Sequence, residues 1–155
     1  MTITVHAGEL KHLPELVPLF DAYRQFYKQA SDLEGARAYL LDRLSHGEAT
    51  VFLAYLNDAA GPRAVGFTLL YDTFTSVAMK PLCILNDLYT IPEARGLGAG
   101  TALIARAREH ALAKGAFRLR LRTAQDNLTA QSVYEKLGFK RDEIYFTYDL
   151  EPESA

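Results

Sequence analysis

The sequence lacks most of the features that mark secreted, membrane-bound or nucleic-acid-binding proteins. Its 155 residues include one cysteine, Cys83, so no disulfide can form within one chain and a reducing compartment fits. Acidic and basic residues are interspersed and leave a formal net charge of -2, which indicates neither a basic nucleic-acid-binding face nor a basic membrane-binding run. No apolar run is long enough to span a bilayer, and the N-terminus does not read as a signal peptide. We expect a cytoplasmic protein with no nucleic-acid or membrane partner.

The sequence also offers little for a metal ion or a cysteine nucleophile. Its histidines do not follow the spacing of a ligand set, so we predict no metal site. These histidines are His6, His12, His46 and His110. None of them lies near Cys83 in sequence, and a thiol nucleophile needs a base beside it. We therefore interpret Cys83 as a buried core thiol.

What is present is the composition of an ordinary globular domain. Apolar residues make up 49% of the chain and charged residues 23%. This length is typical of one domain and is enough to bury a core without covalent cross-links. We expect one domain over residues 1–150 and a short C-terminal tail over residues 151–155.

Hydrophobic periodicity predicts the element order β-α-α-β-β-β-α-β-α-β. Two helix details are specific: Pro18 should kink or restart the first helix, and Ser31 with Glu34 should form the capping box of the second. The expected strands lie at residues 3–5, 50–56, 64–74, 82–90, 117–121 and 144–150, and the expected helices at 13–27, 33–44, 98–113 and 127–137. A strand-helix-strand segment implies a parallel crossover, whereas hairpins imply antiparallel pairs. The predicted fold class is mixed α/β: a central, mostly antiparallel sheet flanked by helices.

The most informative segment is a glycine-rich turn between a strand and a helix, Arg95-Gly96-Leu97-Gly98-Ala99-Gly100. The free N–H groups of a helix N-terminus and the helix dipole favour an anion in such a turn. Glycines let the backbone approach a phosphate without Cβ atoms in the way. The turn therefore predicts an anion site, and pyrophosphate suits it.

Two of the three known types of phosphate turn do not fit. A P-loop requires a Gly-Lys dipeptide, which the chain lacks. A dinucleotide-binding G-x-G-x-x-G turn would need glycine where Thr101 stands. The third type, R-x-x-G-x-G, is filled by Arg95, Gly98 and Gly100. A purely structural glycine loop remains the alternative at this point.

A second motif follows downstream, with the pattern N-x-x-A-x-x-x-Y-x-K-x-G-F. Asn127, Ala130 and Tyr134 are spaced so that they share one helix face. Taken alone, Asn127 could be a helix N-cap and Tyr134 a packed core tyrosine. With both motifs in order and at this distance, the sequence resembles the GNAT superfamily of N-acetyltransferases over nearly its whole length. The pattern Tyr23-Arg24-x-Phe26-Tyr27, together with Tyr71-Asp72-Thr73-Phe74, resembles the branch that includes histone and polyamine acetyltransferases.

The resemblance implies a single GNAT-type domain whose central strand splays from a parallel neighbour. It implies that acetyl-CoA binds with its pyrophosphate on the turn, its pantetheine arm along the central strand and its thioester between Asn127 and Tyr134. Coenzyme A would leave as product. The cofactor-binding residues implied are Leu88, Tyr89, Thr90, Arg95, Gly96, Leu97, Gly98, Ala99, Gly100, Thr101, Asn127, Ala130 and Tyr134.

The implied reaction is direct attack of a primary amine on the thioester in a ternary complex. Tyr134 is the candidate general acid for the leaving sulfur, and a backbone N–H near Leu88 is expected to stabilise the oxyanion. Asn86 stands where related diamine acetyltransferases carry glutamate, and an amide cannot act as a base. Asp87 could act directly or through water, or could be a structural carboxylate facing away from the thioester.

The acceptor is predicted to be a small amine, a polyamine or a lysine side chain. Aromatic residues of the first helix and the third strand could hold its cation: Tyr23, Tyr27, Tyr71 and Phe74. The alternative reading of these aromatics is core or dimer contact, and a homodimer is possible. The alternative function is a non-catalytic sensor that binds acyl-CoA.

Overall fold

The computed structural model describes residues 1–154. The chain divides into two compact units, Met1–Leu121 and Arg122–Ala155. The first unit contains the sheet and three of the helices, and the second contains the fourth helix. Within the described residues, no helix combines the length and apolar character needed to cross a membrane.

The first unit is built on one five-stranded sheet with the spatial order β1-β2-β3-β4-β5. Its strands are β1 (Thr2–Gly8), β2 (Thr50–Asp58), β3 (Gly61–Thr75), β4 (Lys80–Thr90) and β5 (Leu119–Arg120). The first four strands pair antiparallel, and β5 pairs parallel with β4. The helices of this unit are α1 (Leu13–Phe26), α2 (Leu33–Ser45) and α3 (Ala99–Ala113). The predicted mixed α/β class is confirmed.

The helices cover both faces of the sheet. One core contains residues of α1 and α2 together with Val51 and Leu53 of β2. The residue between these two, Phe52, instead meets His110 of α3, with ring centroids 6.2 Å apart. Since neighbouring strand residues point to opposite faces, α3 lies on the face opposite to α1 and α2. Helix α3 buries four residues on its inner side: Leu103, Ile104, Ala107 and Ala111.

Helix α1 is continuous through Pro18, so the predicted restart is not observed. Proline removes one backbone hydrogen bond from a helix, but the residues on either side of Pro18 anchor the helix to the sheet. Val17 and Leu19 are 7% and 6% exposed. Tyr27 follows the last helical residue and is half exposed, so it does not extend the buried face of α1.

The N-terminus of α2 is capped by Asp32, which corrects the predicted Ser31–Glu34 box. The Oδ1 of Asp32 accepts a hydrogen bond from the Gly35 N–H at 2.8 Å. Ser31 is used elsewhere, because its hydroxyl donates to Asp21 on α1 at 2.7 Å. Asp21 also accepts from the Asp32 N–H at 2.8 Å and from the Gln25 side chain at 3.0 Å. One buried carboxylate therefore joins α1 to the start of α2.

Strands β4 and β5 are paired only at their beginning. The ladder joins Cys83 to Leu119 and Ile84 to Arg120, and two backbone bonds beside it hold Phe117 and Arg118. Beyond Ile84, β4 continues to Thr90 while the described ladder to β5 has ended. The predicted strand at 117–121 is thus shorter than expected, and the predicted splayed parallel pair is present.

The second unit contains α4 (Leu128–Lys136), which ends before Gly138 at a φ of 97°. The predicted strand at residues 144–150 is wrong, because no strand is assigned there. Asp142 Oδ1 accepts from the N–H groups of Ile144 and Tyr145, at 2.8 and 3.2 Å, so this carboxylate takes two donors that a ladder would use. Alternating apolar residues alone did not make a strand, and Phe146 is 87% exposed.

Candidate active site

The glycine-rich turn forms where β4 passes through a short helical turn, Pro92–Ala94, into α3. Gly96 and Gly98 have φ values of 80° and 94°, a region that costs other residues about 1–2 kcal/mol. Gly98 is the N-cap of α3, and no side chain caps the helix there. No acidic residue stands in the first helical turn. The N-terminal N–H groups and the positive end of the dipole are thus left for a ligand.

The turn also has open space beside its glycines. A Cβ placed on Gly96, Gly98 or Gly100 would meet no atom within 4 Å. The glycines are therefore not required by packing against the protein, and the space beside them lies along the helix N-terminus. Arg95, the first residue of the motif, turns back: its Nε donates to the Thr90 carbonyl at 3.1 Å, and its guanidinium lies 5.9 Å from the Tyr89 ring.

Strand β4 supplies the second part of a coenzyme site. Its segment Leu88–Thr90 lies past the point at which pairing with β5 ends. Backbone N–H and C=O groups along such an edge are suited to an extended amide-bearing arm, which can pair with them as an added strand. The residues predicted from the family motif therefore offer groups that fit acetyl-CoA along the turn and the strand.

A β-bulge in β4 sets the positions of Asn86 and Asp87. Leu69 pairs with Asp87 and Leu70 with Leu85, so Asn86 is the extra residue. The bulge interrupts the alternation of side chains and lets these neighbours meet: the Asn86 amide lies 3.2 Å from both carboxylate oxygens of Asp87. No pattern in the sequence predicted this bulge.

Asp87 lies on the face of the sheet that packs against α1. It is directly opposite Leu69, a member of the core that α1 and α2 share, and it is 8% exposed. Burial raises the pKa of Asp87, while hydrogen bonding by Asn86 and Tyr23 acts in the opposite direction. Burial, followed by the charge of Asp87, raises the pKa of Tyr23, so this phenol keeps its proton.

Aromatic side chains surround this carboxylate. The Tyr23 ring lies 5.0 Å from the Tyr27 ring and 6.0 Å from the Tyr89 ring, so Tyr23 and Tyr27 are in contact. Burial raises the pKa of Tyr71, and the charge of Asp87 contributes to that rise. The Tyr71 hydroxyl is hydrogen-bonded to that of Tyr39, a partner that the sequence did not indicate.

Phe74 is not part of this cluster. It lies five positions beyond Leu69 on β3, about 17 Å along the strand, and is 81% exposed. The structure thus brings together three of the four residues predicted for the acceptor.

The second motif lies in the second unit. Asn127 is the N-cap of α4, and its Oδ1 accepts from the Ala130 N–H at 3.1 Å. Tyr134 lies on the same helix, and its ring is 5.9 Å from that of Phe139. The capping role of Asn127 is established by this geometry, whereas the roles of Asn127 and Tyr134 at the thioester stay predictions.

Comparisons with known proteins identify the family of the chain. The family model described as "Acetyltransferase (GNAT) family" matches residues 16–139. The chain is 44% identical over 135 residues to the "Uncharacterized N-acetyltransferase YhfO" of Bacillus subtilis, covering 87% of this chain and 88% of that one. It is 37% identical over 78 residues to the thialysine N-epsilon-acetyltransferase of Bos taurus, covering 50% and 45% of the two chains. A crystal structure of a "probable acetyltransferase" superposes with a TM-score of 0.88 at 36% identity, covering 96% of this chain and 97% of that one.

A mixed α/β fold with a glycine-rich turn at a helix N-terminus and a parted parallel strand pair is typical of acyl-CoA-dependent transferases. The chain belongs to the GNAT family of acetyltransferases. It is accordingly an N-acetyltransferase, and acetyl-CoA is the acetyl donor that the family uses.

Proposed function

We propose that this protein transfers an acetyl group from acetyl-CoA to the primary amine of a cationic acceptor, in a ternary complex. The observation that carries this proposal is the position of Asp87. Asp87 is on β4, and its buried carboxylate lies close to tyrosine hydroxyl groups. The edge of the same strand beyond Ile84 suits the pantetheine arm of acetyl-CoA. Strand β4 can thus bind the amine acceptor through the side chain of Asp87 and acetyl-CoA through its backbone.

Asp87 suits the acceptor because an alkylamine is protonated at neutral pH and must lose a proton before it attacks. A carboxylate attracts the ammonium form and can accept its proton, directly or through water. Burial raises the pKa of Asp87 towards neutrality, which makes it a better base than an exposed aspartate. The side-chain amide of Asn86 donates to both carboxylate oxygens of Asp87 and so orients this carboxylate for accepting the proton.

The aromatic neighbours favour a cation on a narrow aliphatic stem. Tyr23 and Tyr27 meet at 5.0 Å, and ring faces attract an ammonium group. Polyamines and lysine-like side chains have this chemistry. The relative that acts on thialysine makes this lysine-like amino acid a first candidate acceptor.

Bound acetyl-CoA supplies an activated thioester carbonyl. The N–H groups of Ala99–Thr101 are proposed to hold its pyrophosphate, and the backbone of Leu88–Thr90 its pantetheine arm. A backbone N–H near Leu88 would stabilise the oxyanion, and Tyr134 would give a proton to the leaving sulfur. Holding both reactants in place supplies a large part of the acceleration.

Thiol release from acetyl-CoA in the presence of an amine panel tests the proposal. The panel contains thialysine, lysine, spermidine, spermine, a lysine peptide and an aminoglycoside. Amine-dependent release together with a mass gain of one acetyl group on the amine supports it. Tight acetyl-CoA binding without release on any of these amines would favour the acyl-CoA sensor instead.

A further inference from the structure

A second cluster of chemically versatile side chains lies outside the active site. Asp72 of β3, Cys83 of β4 and His110 of α3 place a carboxylate oxygen, a sulfur and an imidazole nitrogen within 4.8 Å of one another. Asp72 and Cys83 are direct cross-strand partners, so they share one face of the sheet. That face is the one covered by α3, which contributes His110 from above.

The three side chains already interact. His110 Nε2 lies 3.0 and 3.2 Å from the two carboxylate oxygens of Asp72. Cys83 is completely buried, and the Asp72 carboxylate also contacts its thiol. The side chain of His110 is 13% exposed and that of Asp72 is 37% exposed, so the cluster has a buried floor and a route from solvent.

We propose that Asp72, Cys83 and His110 bind a zinc ion. Sulfur, nitrogen and oxygen donors together suit Zn²⁺, which is bound by thiolate, imidazole and carboxylate in four-coordinate sites. Three protein ligands leave the fourth position to water, which reaches it past Asp72. The thiolate and the carboxylate together balance the charge of the ion.

The present spacing requires adjustment in both directions, because the three ligand atoms lie within 4.8 Å of one another and the widest separation would close by about 1 Å. Zinc bonds of about 2.0–2.3 Å place tetrahedral ligand atoms about 3.3–3.6 Å from one another. The His110–Asp72 contact at 3.0 Å would therefore open by a few tenths of an ångström. Burial and Asp72 raise the pKa of the Cys83 thiol to about 12, so binding of the metal displaces the thiol proton to the buffer.

The position of the cluster assigns the ion a structural role. Cys83 is four positions before Asp87, about 13 Å along β4, so the ion would not take part in acetyl transfer. Cys83 is also one of the two residues through which β4 pairs with β5. The ion would link β3, β4 and α3 close to the point where the pairing between β4 and β5 ends.

Zinc titration of the chelator-treated, untagged protein against a chromophoric chelator tests this site. We expect one zinc ion per chain and a raised melting temperature, and with Co²⁺ an absorption band of thiolate-to-metal charge transfer. Cys83→Ser should lose that band and bind zinc at least about 100-fold more weakly, since even partners outside the ligand shell are worth about 10–100-fold. His110→Gln provides a second variant that leaves the core thiol in place.

His46→Ala is the matched control. His46 forms a surface pair with Asp42, at 3.1 Å, in which no cysteine takes part. This variant should bind zinc like the unaltered protein. Absence of stoichiometric binding, or binding that survives both Cys83→Ser and His110→Gln, would show that the cluster is only a hydrogen-bonded tie. Because the readout is metal binding, the result is independent of whether any amine is acetylated.

Discussion

At the scale of single residues, Asp87 is a carboxylate whose burial opposes its charge. A carboxylate that was needed only for structure would be expected to accept strong donors that hold its charge, as Asp21 does from the Asp32 N–H and the Ser31 hydroxyl. Asp87 instead has an amide at 3.2 Å and a phenol, and burial raises its pKa. This environment suits a group that must take up a proton and release it again.

Replacing this carboxylate should separate activity from stability. We expect Asp87→Asn to lower kcat about 10²- to 10⁴-fold, the range for loss of a general base. In the unaltered enzyme activity should be present above the raised pKa of Asp87 and lost as pH falls through it, and the variant should lose this limb of the pH profile. Thiol release measured across pH checks both.

The stability of the same variant should not fall at neutral pH. A folded-state pKa above the unfolded value means that ionised Asp87 opposes folding as pH rises, so removal of its charge relieves a cost. Asp42→Asn, at an exposed ion pair, is the control and should leave kcat unchanged. If Asp87→Asn turned over normally, the carboxylate would be structural.

Tyr134 is the residue for which the leaving-group role is predicted. Tyr134→Phe should lower turnover about 10²-fold while acetyl-CoA affinity stays nearly the same, because only the hydroxyl is removed. Steady-state kinetics and a direct binding titration check the two parts. Tyr148→Phe, at a tyrosine that is 90% exposed, should change neither. Weaker binding with normal turnover of the bound complex would contradict the acid role.

At the scale of elements, the N-terminus of α3 shows how a turn can serve a ligand instead of the fold. Three glycines there face open space, although only Gly96 and Gly98 need their unusual backbone angles. Gly100 lies inside the helix, where alanine is favoured by about 0.5–1 kcal/mol. Gly100 destabilises its own helix and leaves open space beside it, and a ligand bound in that space best explains the glycine.

Gly100→Ala should therefore stabilise the protein and weaken donor binding at once. We expect a slightly higher melting temperature and a KM for acetyl-CoA raised about tenfold or more, equivalent to about 1.4 kcal/mol. Gly98→Ala should lower both stability and affinity, because its φ of 94° is strained for alanine. Calorimetry and initial rates check these outcomes. An unchanged KM in Gly100→Ala would exclude a phosphate beside it.

The connection between α1 and α2 depends on Asp21. Asp21→Asn should lower the free energy of unfolding by about 1–3 kcal/mol, since donors around a buried carboxylate lose their partner. Hydrogen bonding to Asp32 and Ser31 lowers the pKa of Asp21 in the folded state. The stabilisation is therefore present above about pH 3.9, the ordinary pKa of an aspartate, and is lost as pH falls through the lowered folded-state pKa. Urea unfolding at several pH values measures it.

The matched control for Asp21 is Glu109→Gln, at an exposed carboxylate that pairs with Arg106 at 3.0 Å. It should change stability by less than about 0.5 kcal/mol. A difference between Asp21→Asn and the unaltered protein that persisted at pH values where Asp21 is protonated would contradict the assigned cause.

The order of the elements followed from periodicity because most helices and strands have one buried and one exposed face. The errors have physical causes beyond that pattern. Pro18 is tolerated because its neighbours Val17 and Leu19 are anchored in the core. Residues 144–150 alternate like a strand, but pairing requires a partner edge that the local sequence does not specify.

At the scale of the whole molecule, features that depend on contacts between distant parts of the chain could not be predicted from the sequence. The glycine turn was predictable because its chemistry is local. The bulge at Asn86 depends on the register of β3 against β4, and the meeting of His110 with Cys83 depends on packing of α3 on the sheet. Neither has a signature in consecutive residues.

Donor binding should be visible in global stability. At 100 times its Kd, acetyl-CoA should stabilise the folded state by about 2.7 kcal/mol, which for a chain of this size raises the melting temperature by about 5–10 °C. NAD should produce no comparable shift, since Thr101 stands where a dinucleotide turn needs glycine. A scanning fluorimetry series with both compounds checks this, and a shift with NAD alone would contradict the assigned donor.

The parting of β4 from β5 also bears on how such an enzyme would respond to cell metabolism. The turn and the strand edge are proposed to contact the phosphates and amides of the donor, which the reaction leaves unchanged. Spent coenzyme A would therefore compete for the same place with affinity close to that of the acetylated form. The rate would then follow the ratio of acetylated to free coenzyme.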